Sequence, residues 1–153
     1  MNMKDIVLII IASAILFGCS TTKTIQSGNA VFKMPKEFVP INFVNKDDAV
    51  NKLDMLLKQQ YIARGTSLYA GINEERLERG ASRHYYYNTI TSVCLKIQEL
   101  SNNSWPPAEN KYMCIIEFSS SIIGNKDRIR FKDKKMAEVA FSALIYLIDN
   151  SAK

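Results

Sequence analysis

The sequence predicts an α+β fold, in which an N-terminal helix and a long C-terminal helix accompany a mainly antiparallel sheet of three to five strands. Apolar residues recur at three- and four-residue spacing after Asp47. Residues 83–100 are rich in Tyr, Thr, Ile and Val, and residues 111–119 (KYMCIIEFS) predict a further strand. A broadly apolar helical pattern follows Asp133. Such a helix must be buried, so we expect it to cover one face of the sheet.

Length and composition indicate one folded domain. The chain has 153 residues, of which 47% are hydrophobic and 23% charged, while Gly (6) and Pro (4) are scarce. These values exclude a disordered or collagen-like chain. The formal net charge of +5, from 20 Lys and Arg against 15 Asp and Glu, suits contact with an anionic surface.

The first 20 residues, MNMKDIVLIIIASAILFGCS, differ in composition from the rest. An apolar run extends from Ile6 to Phe17 after a short polar start that contains Lys4. As a helix this run rises only about 18 Å, whereas the hydrocarbon core of a bilayer is about 30 Å thick. The segment is therefore predicted to be a signal peptide rather than a membrane span.

The end of this run, Leu16-Phe17-Gly18-Cys19, resembles the lipobox of bacterial lipoproteins. The resemblance, which covers these twenty residues, implies that residues 1–18 are removed and that Cys19 is acylated. Three acyl chains, each contributing roughly 0.8 kcal/mol per buried methylene, would anchor the chain permanently. Ser20 stands where the family's inner-membrane retention signal has Asp, which implies the outer membrane, with the domain in the periplasm. An ordinary cleaved signal peptide is the alternative.

After the signal peptide we expect a tether and then a single domain. Residues 19–45 contain two prolines and show no sustained period of 2 or 3.6, which predicts a lipidated N-terminus and a flexible tether. The globular α+β domain is expected over residues 46–150. Its first helix is predicted over residues 47–60, where early aspartates suit the positive end of the helix dipole.

The remaining elements follow in order. Tyr61-Ile62-Ala63 and Ser67-Leu68-Tyr69 are β-prone, and residues 73–79 predict a short capped helix or a solvated loop. Residues 83–100 favour a strand, with a helix from Thr91 as the rival interpretation. After a loop at residues 101–110, strands are predicted at 111–119 and, beyond a Gly124-Asn125 turn, at 128–132, and a helix from Asp133 to about Asp149.

Cys94 and Cys114 remain as a pair once Cys19 is acylated, and they are predicted to form a disulfide because an exported chain meets an oxidising compartment. If residues 90–100 and 110–118 pair antiparallel about Ser104, Cys94 lies opposite Cys114. Closing a loop of about 20 residues would stabilise the domain by roughly 3 kcal/mol. Free buried thiols are the alternative.

No catalytic residue, metal site or cofactor is predicted. His84 is the single histidine, so nothing selects the partners of a catalytic triad or of a metal set. Glu74, Glu75 and Glu78 are candidates for the paired carboxylates of a glycosidase, but adjacent acids in a charged run are typical of a solvated face.

Two groups of residues are candidates for binding. Arg128 and Arg130 alternate with Ile129 and Phe131, so on a strand they share one face with Lys126 and Lys132. That face would contact anionic lipid, cell-wall polymer or an acidic partner, or would be simply solvated. The second group is Arg83, Tyr85, Tyr87 and Trp105, because aromatic and arginine side chains are favoured interface anchors.

In size and layout the chain is similar to the pilotins and accessory lipoproteins of secretion, pilus and conjugation machines. We therefore expect a non-enzymatic, outer-membrane-anchored periplasmic lipoprotein that binds and positions another envelope protein. The partner would add to an open sheet edge or lie beside the C-terminal helix. The expected partners of the protein are the membrane, through the acyl chains on Cys19, and an envelope protein. Export excludes nucleic acid as a partner. The alternative is a periplasmic binder of a lipid, glycan or small ligand, and the third possibility is a hydrolase of the cell envelope.

Overall fold

A computed structural model describes residues 22–59, 69–79, 83–99, 112–124, 126–131 and 133–151. The predicted signal peptide and lipobox, the β-prone segments at 61–63 and 67–68, and the loop at 101–110 lie outside these residues. The described elements are, in chain order, β1 (Thr22–Ser27), β2 (Ala30–Pro35), α1 (Lys46–Gln59), β3 (Tyr69–Ile72), β4 (Arg76–Arg79), β5 (Arg83–Tyr86), β6 (Ile90–Glu99), β7 (Tyr112–Ser120), β8 (Asp127–Phe131) and α2 (Lys134–Asp149).

Five strands form the main sheet in the order β1-β2-β6-β7-β8. Neighbouring strands run antiparallel except β2 and β6, which are parallel. Helix α2 packs on one face of this sheet, here called the inner face, and α1 packs against α2. Phe32, Val93, Ile116 and Ile129 are buried on the inner face. The predicted α+β fold, with a C-terminal helix covering the sheet, is confirmed.

The first two strands correct the prediction of a tether over residues 19–45. Gly28, with φ of 56°, reverses the chain, and β2 then pairs with both β1 and β6. Ala30, Phe32 and Met34 alternate along β2 and are buried. The tether interpretation is therefore wrong for residues 22–35: the period of two extends over only six residues, and its partner strand lies about 60 residues away in the chain.

Both predicted helices are present, with start signals close to those expected. The side chain of Asn45 accepts a hydrogen bond of 2.9 Å from the amide of Asp48, so the cap of α1 lies just before the predicted aspartates. At α2 the predicted cap is confirmed, because the side chain of Asp133 accepts a 2.7 Å hydrogen bond from the amide of Met136.

Residues 73–79 form a turn and a strand, which corrects the prediction of a helix or loop. The side-chain oxygen of Asn73 accepts hydrogen bonds from the amides of Glu75 and Arg76, each 2.9 Å, and so closes the turn. Strand β4 follows, with Leu77 buried, and forms a three-stranded sheet with β3 and β5. A single buried leucine in a charged run carries too little periodicity to predict a strand.

The strand interpretation of residues 83–100 is confirmed over its described part. A short 3₁₀ turn, Tyr87–Thr89, divides it into β5 and β6. The strands predicted at 111–119 and 128–132 are present as β7 and β8.

The register of β6 and β7 contradicts the proposed cysteine pairing. Cys94 lies opposite Glu117, and Cys114 lies opposite Ile97, a shift of three residues from the prediction. Successive side chains on a strand point to opposite faces, so a shift by an odd number of residues places the two cysteines on different faces. Cys94 is on the outer face, whereas Cys114 is buried on the inner face. The predicted register is therefore wrong, and the two thiols are not bonded to each other in this structure, so the disulfide stays a prediction that this pairing of β6 with β7 does not support. The register is instead set by burying Val93 against Phe118.

This register predicts the order in which the two thiols react. Burial raises the pKa of both thiols, but Cys94 is half-buried and Cys114 is fully buried. In the mature chain carrying Cys19→Ser, a maleimide should modify Cys94 at least roughly tenfold faster than Cys114. Both should react after denaturation without reductant. Mass spectrometry after limited labelling checks this. If the thiols react only after reduction, the two cysteines form a disulfide and this prediction is wrong.

Candidate functional site

Strand β8 presents its cations on one side, as the alternation predicts. Asp127, Ile129 and Phe131 are buried, whereas Arg128 and Arg130 are exposed on the outer face of the main sheet. Lys132, the last member of the predicted row, lies outside the described residues. The two predicted arginines therefore share the outer face.

Pairing across the sheet brings further cations to the same side. One row runs from Lys33 on β2 through Cys94 and Glu117 to Arg128. The next row joins Lys96, Ile115 and Arg130. We use the name basic face for the outer-face surface formed by Lys33, Lys96, Lys126, Arg128, Arg130 and Glu117.

Glu117 is the acidic member of the basic face. Its carboxylate accepts a 2.8 Å hydrogen bond from Nε of Arg128 and one of 3.3 Å from Nζ of Lys96, and Nζ of Lys126 lies 3.6 Å away. Desolvation raises the pKa of Glu117, but the hydrogen bonds from Arg128 and Lys96 and the charges of Lys96 and Lys126 outweigh it and hold that pKa below its usual value. The carboxylate thus stays ionised and holds three cations together.

Lys33 and Arg130 are both exposed, and neither makes an ion pair within the described parts of the chain. Five cations and one acid give the basic face a charge of about +4 at neutral pH. That leaves 15 cations and 14 acids elsewhere in the sequence. The excess positive charge of the protein is therefore concentrated on this face.

A second surface lies on the other side of the molecule, over α2. Residues 38–44, here called the strap, run along that helix. The ring of Phe38 contacts the ring of Phe141 at 5.4 Å between centroids, and Phe43 contacts Tyr146 at 5.8 Å. The amide of Ile41 donates a 3.1 Å hydrogen bond to Oγ of Ser142. These contacts fix the strap on the helix.

Fixing the strap in this way leaves its other side chains pointing outward. Val39, Ile41 and Val44 are 76%, 47% and 88% exposed. Isolated exposed aliphatic residues are common, but three within six residues on an ordered segment form an apolar ridge. This ridge could not be predicted from a helix or strand period, because residues 38–44 have neither; the pair Phe38-Val39 was the available signal.

The predicted aromatic binding group is divided by the structure. Tyr85 is buried, its hydroxyl donates a 2.7 Å hydrogen bond to Oδ2 of Asp127, and its ring contacts Phe118. Tyr87 is also buried, whereas Arg83 is exposed. Tyr85 and Tyr87 are therefore core residues, which corrects their assignment to a binding surface. Trp105 lies outside the described residues.

The acids and the histidine considered for catalysis do not converge on a cleft in the described structure. His84 is exposed on β5, where it lies opposite Glu78. Oε1 of Glu78 accepts a 2.7 Å hydrogen bond from Arg76, whose guanidinium also lies over the ring of Tyr86. Glu74 and Glu75 are exposed in the turn. These groups form a solvated surface with one ion pair.

A pocket of about 270 Å³ lies between the β1–β2 turn, the 3₁₀ turn and the end of α2. Tyr87 and Asp149 are among its lining residues. Burial raises the pKa of the Tyr87 hydroxyl, which has no hydrogen-bond partner among the described atoms. The pocket is partly open and lined by both polar and apolar groups, unlike the closed apolar cavity expected of a lipid carrier.

No protein-family model, curated protein or solved structure matches this chain. Neither described helix is long and apolar enough to cross a membrane. Among the described residues, no cluster of His, Cys, Asp and Glu has the composition of a metal site. The two surfaces that stand out are therefore the basic face and the apolar ridge of the strap.

Proposed function

We propose that this protein is a lipid-anchored periplasmic protein of the outer membrane that binds and positions another envelope protein without catalysing a reaction. The anchor would be acyl chains on Cys19, as the lipobox resemblance implies. Holding the domain at a membrane surface raises its effective concentration for a partner in the same membrane.

The observation that carries this proposal is the apolar ridge of the strap. Val39 and Val44 are among the most exposed apolar side chains described, yet the strap is held by two ring contacts and a hydrogen bond. An ordered apolar segment can bind without the entropy cost of ordering a loop. Its position beside α2 agrees with one of the two expected docking modes.

The ligand-binding alternative has weaker support. Its observation is the partly open pocket beside Tyr87, whose volume lies slightly below the usual range of roughly 300–1,000 Å³ for small-molecule sites. The hydrolase alternative requires a nucleophile or an activated water beside His84 or the Glu74, Glu75 and Glu78 group. His84, Glu74 and Glu75 are exposed, and Glu78 is part-buried and paired with Arg76.

A capture experiment tests the role of the strap. The C-terminally tagged protein is crosslinked in native membranes, solubilised in detergent and purified, and its co-purifying proteins are quantified by mass spectrometry. We expect one dominant envelope protein, whose recovery falls at least roughly tenfold in Val44→Asp because a charge in an apolar interface is desolvated without a partner.

Ile122→Asp is the matched control, since Ile122 is a 70% exposed aliphatic residue in the β7–β8 connection. It should retain the captured protein. Equal recovery with wild type, Val44→Asp and Ile122→Asp would show that the ridge is not the binding surface. Recovery of no envelope protein with wild type would contradict the partner-binding role itself.

A further inference from the structure

We propose that the basic face is a second membrane contact, which binds anionic phospholipid headgroups and lays the main sheet against the bilayer that holds the anchor. The orientation rests on the proposed acylation of Cys19, but the lipid-binding surface can be tested without it. The proposal assigns the basic face to lipid and leaves the strap to the protein partner.

The chain between the predicted anchor and the first strand is short. Strand β1 begins at Thr22, so three residue steps separate it from Cys19. Fully extended, they span at most about 11 Å. An acylated Cys19 would therefore hold the sheet close to the headgroups, at a distance comparable with the Debye length of about 8 Å at physiological ionic strength.

That connection enters the sheet at the end that carries Lys96. Thr22 pairs with Pro35, two residues beyond Lys33 on β2. Since β2 and β6 are parallel, this is the end of the sheet toward which β6 runs from Cys94 to Lys96. The anchored end of the sheet is thus the end that carries Lys96, with Arg130 in the same row.

The basic face has the size and the charge to contact several lipid headgroups. With strands about 4.8 Å apart, the row from Lys33 to Arg128 covers three strand spacings, or about 14 Å. Lys33 and Arg130 carry charges without an ion pair among the described residues, so they are available to phosphate groups. An array of this size suits several headgroups at once, and each cation near an anionic surface strengthens adsorption about fivefold.

The arrangement also leaves the strap available. Helix α2 covers the inner face of the sheet, and the strap lies on α2. A domain that rests on its basic face would therefore present Val39 and Val44 away from the bilayer.

The test uses the mature chain, residues 19–153, with Cys19→Ser, which retains every described element and contact. The fraction of protein that sediments with vesicles of equimolar phosphatidylglycerol and phosphatidylcholine is compared with the fraction that sediments with vesicles of phosphatidylcholine alone. We expect binding to the anionic vesicles only, and loss of binding at about 0.5 M NaCl because salt screens these charges. Lys33→Glu/Arg130→Glu should weaken binding at least roughly tenfold.

Lys52→Glu/Lys135→Glu is the matched control, because it changes the net charge equally at exposed positions on α1 and α2. Its affinity for the anionic vesicles should lie within roughly threefold of that of the Cys19→Ser parent. Circular dichroism checks that all variants are folded. Equal loss in both double variants would show that only net charge matters, and failure of the folded parent to bind anionic vesicles would also overturn the proposal. Unchanged vesicle binding by Lys33→Glu/Arg130→Glu together with loss of the captured envelope protein would assign the basic face to a protein instead.

These outcomes are separable from failure of the proposed function. The Cys19→Ser protein in the vesicle assay carries no acyl anchor, and no envelope partner is present. A negative result there therefore leaves anchoring and capture to be judged on their own experiments.

Discussion

Cys19→Ala moves the protein out of the membrane fraction if the lipobox is used as the resemblance implies. Without the thiol no acyl chain can be added, and cleavage that depends on acylation does not occur. Three acyl chains hold a protein to a bilayer essentially permanently, whereas adsorption through the basic face is reversible and sensitive to salt. Fractionation after a wash at about 0.5 M NaCl should therefore recover nearly all of the wild type with membranes and little of the variant.

Cys94→Ala serves as the control, because it removes a thiol from the outer face and should stay with the membranes. Persistent attachment of Cys19→Ala at the size of the unprocessed chain would show that the N-terminal apolar segment is retained as an anchor, and would contradict the lipobox interpretation.

Phe32→Ala destabilises the domain by about 3–5 kcal/mol, because it removes a fully buried aromatic side chain from the inner face of β2. A loss of that size is a large part of the stability of a domain of this size. Urea unfolding followed by circular dichroism measures the effect. Val44→Ala, at a position that is 88% exposed, should change stability by less than about 0.5 kcal/mol.

This comparison decides whether residues 22–35 belong to the fold. If they were a tether, Phe32→Ala and Val44→Ala would give the same small change. A large loss for Phe32→Ala alone means that β2 belongs to the fold. The pairing of β1 with β2 then places the start of the sheet three residues after Cys19, the distance on which membrane contact by the basic face depends.

The candidate surfaces were only partly predictable from the sequence. Arg128 and Arg130 could be predicted to share a face, because the alternation with Ile129 and Phe131 is a local pattern within one strand. Lys33 and Lys96 could not be added to that face, since their positions depend on a parallel pairing of β2 with β6 that no local pattern shows. The burial of Tyr85 likewise depends on its contacts with Phe118 and Asp127 of the main sheet, and that of Tyr87 on the packing of the 3₁₀ turn against α2.

The pairing of β6 with β7 shows that two strands can be predicted correctly while their register is predicted wrongly. Both strands were predicted, but a register that placed Cys94 opposite Cys114 also placed Val93 opposite Ile115. In the structure Val93 faces Phe118, and Glu117 lies among Arg128, Lys96 and Lys126. Burial of both apolar faces and neutralisation of the glutamate together favour this register, and neither is visible in one strand alone.

Local patterns in the sequence predict the α+β class and both helices, and favour the strands β6, β7 and β8, because each has a period or cap signal within its own residues. The place of residues 22–35 in the sheet, the opposite faces of the two cysteines and the exposure of Val39 and Val44 on the strap are visible in the folded protein alone. These features depend on pairing and packing between segments far apart in the chain, whose free energy no local pattern encodes.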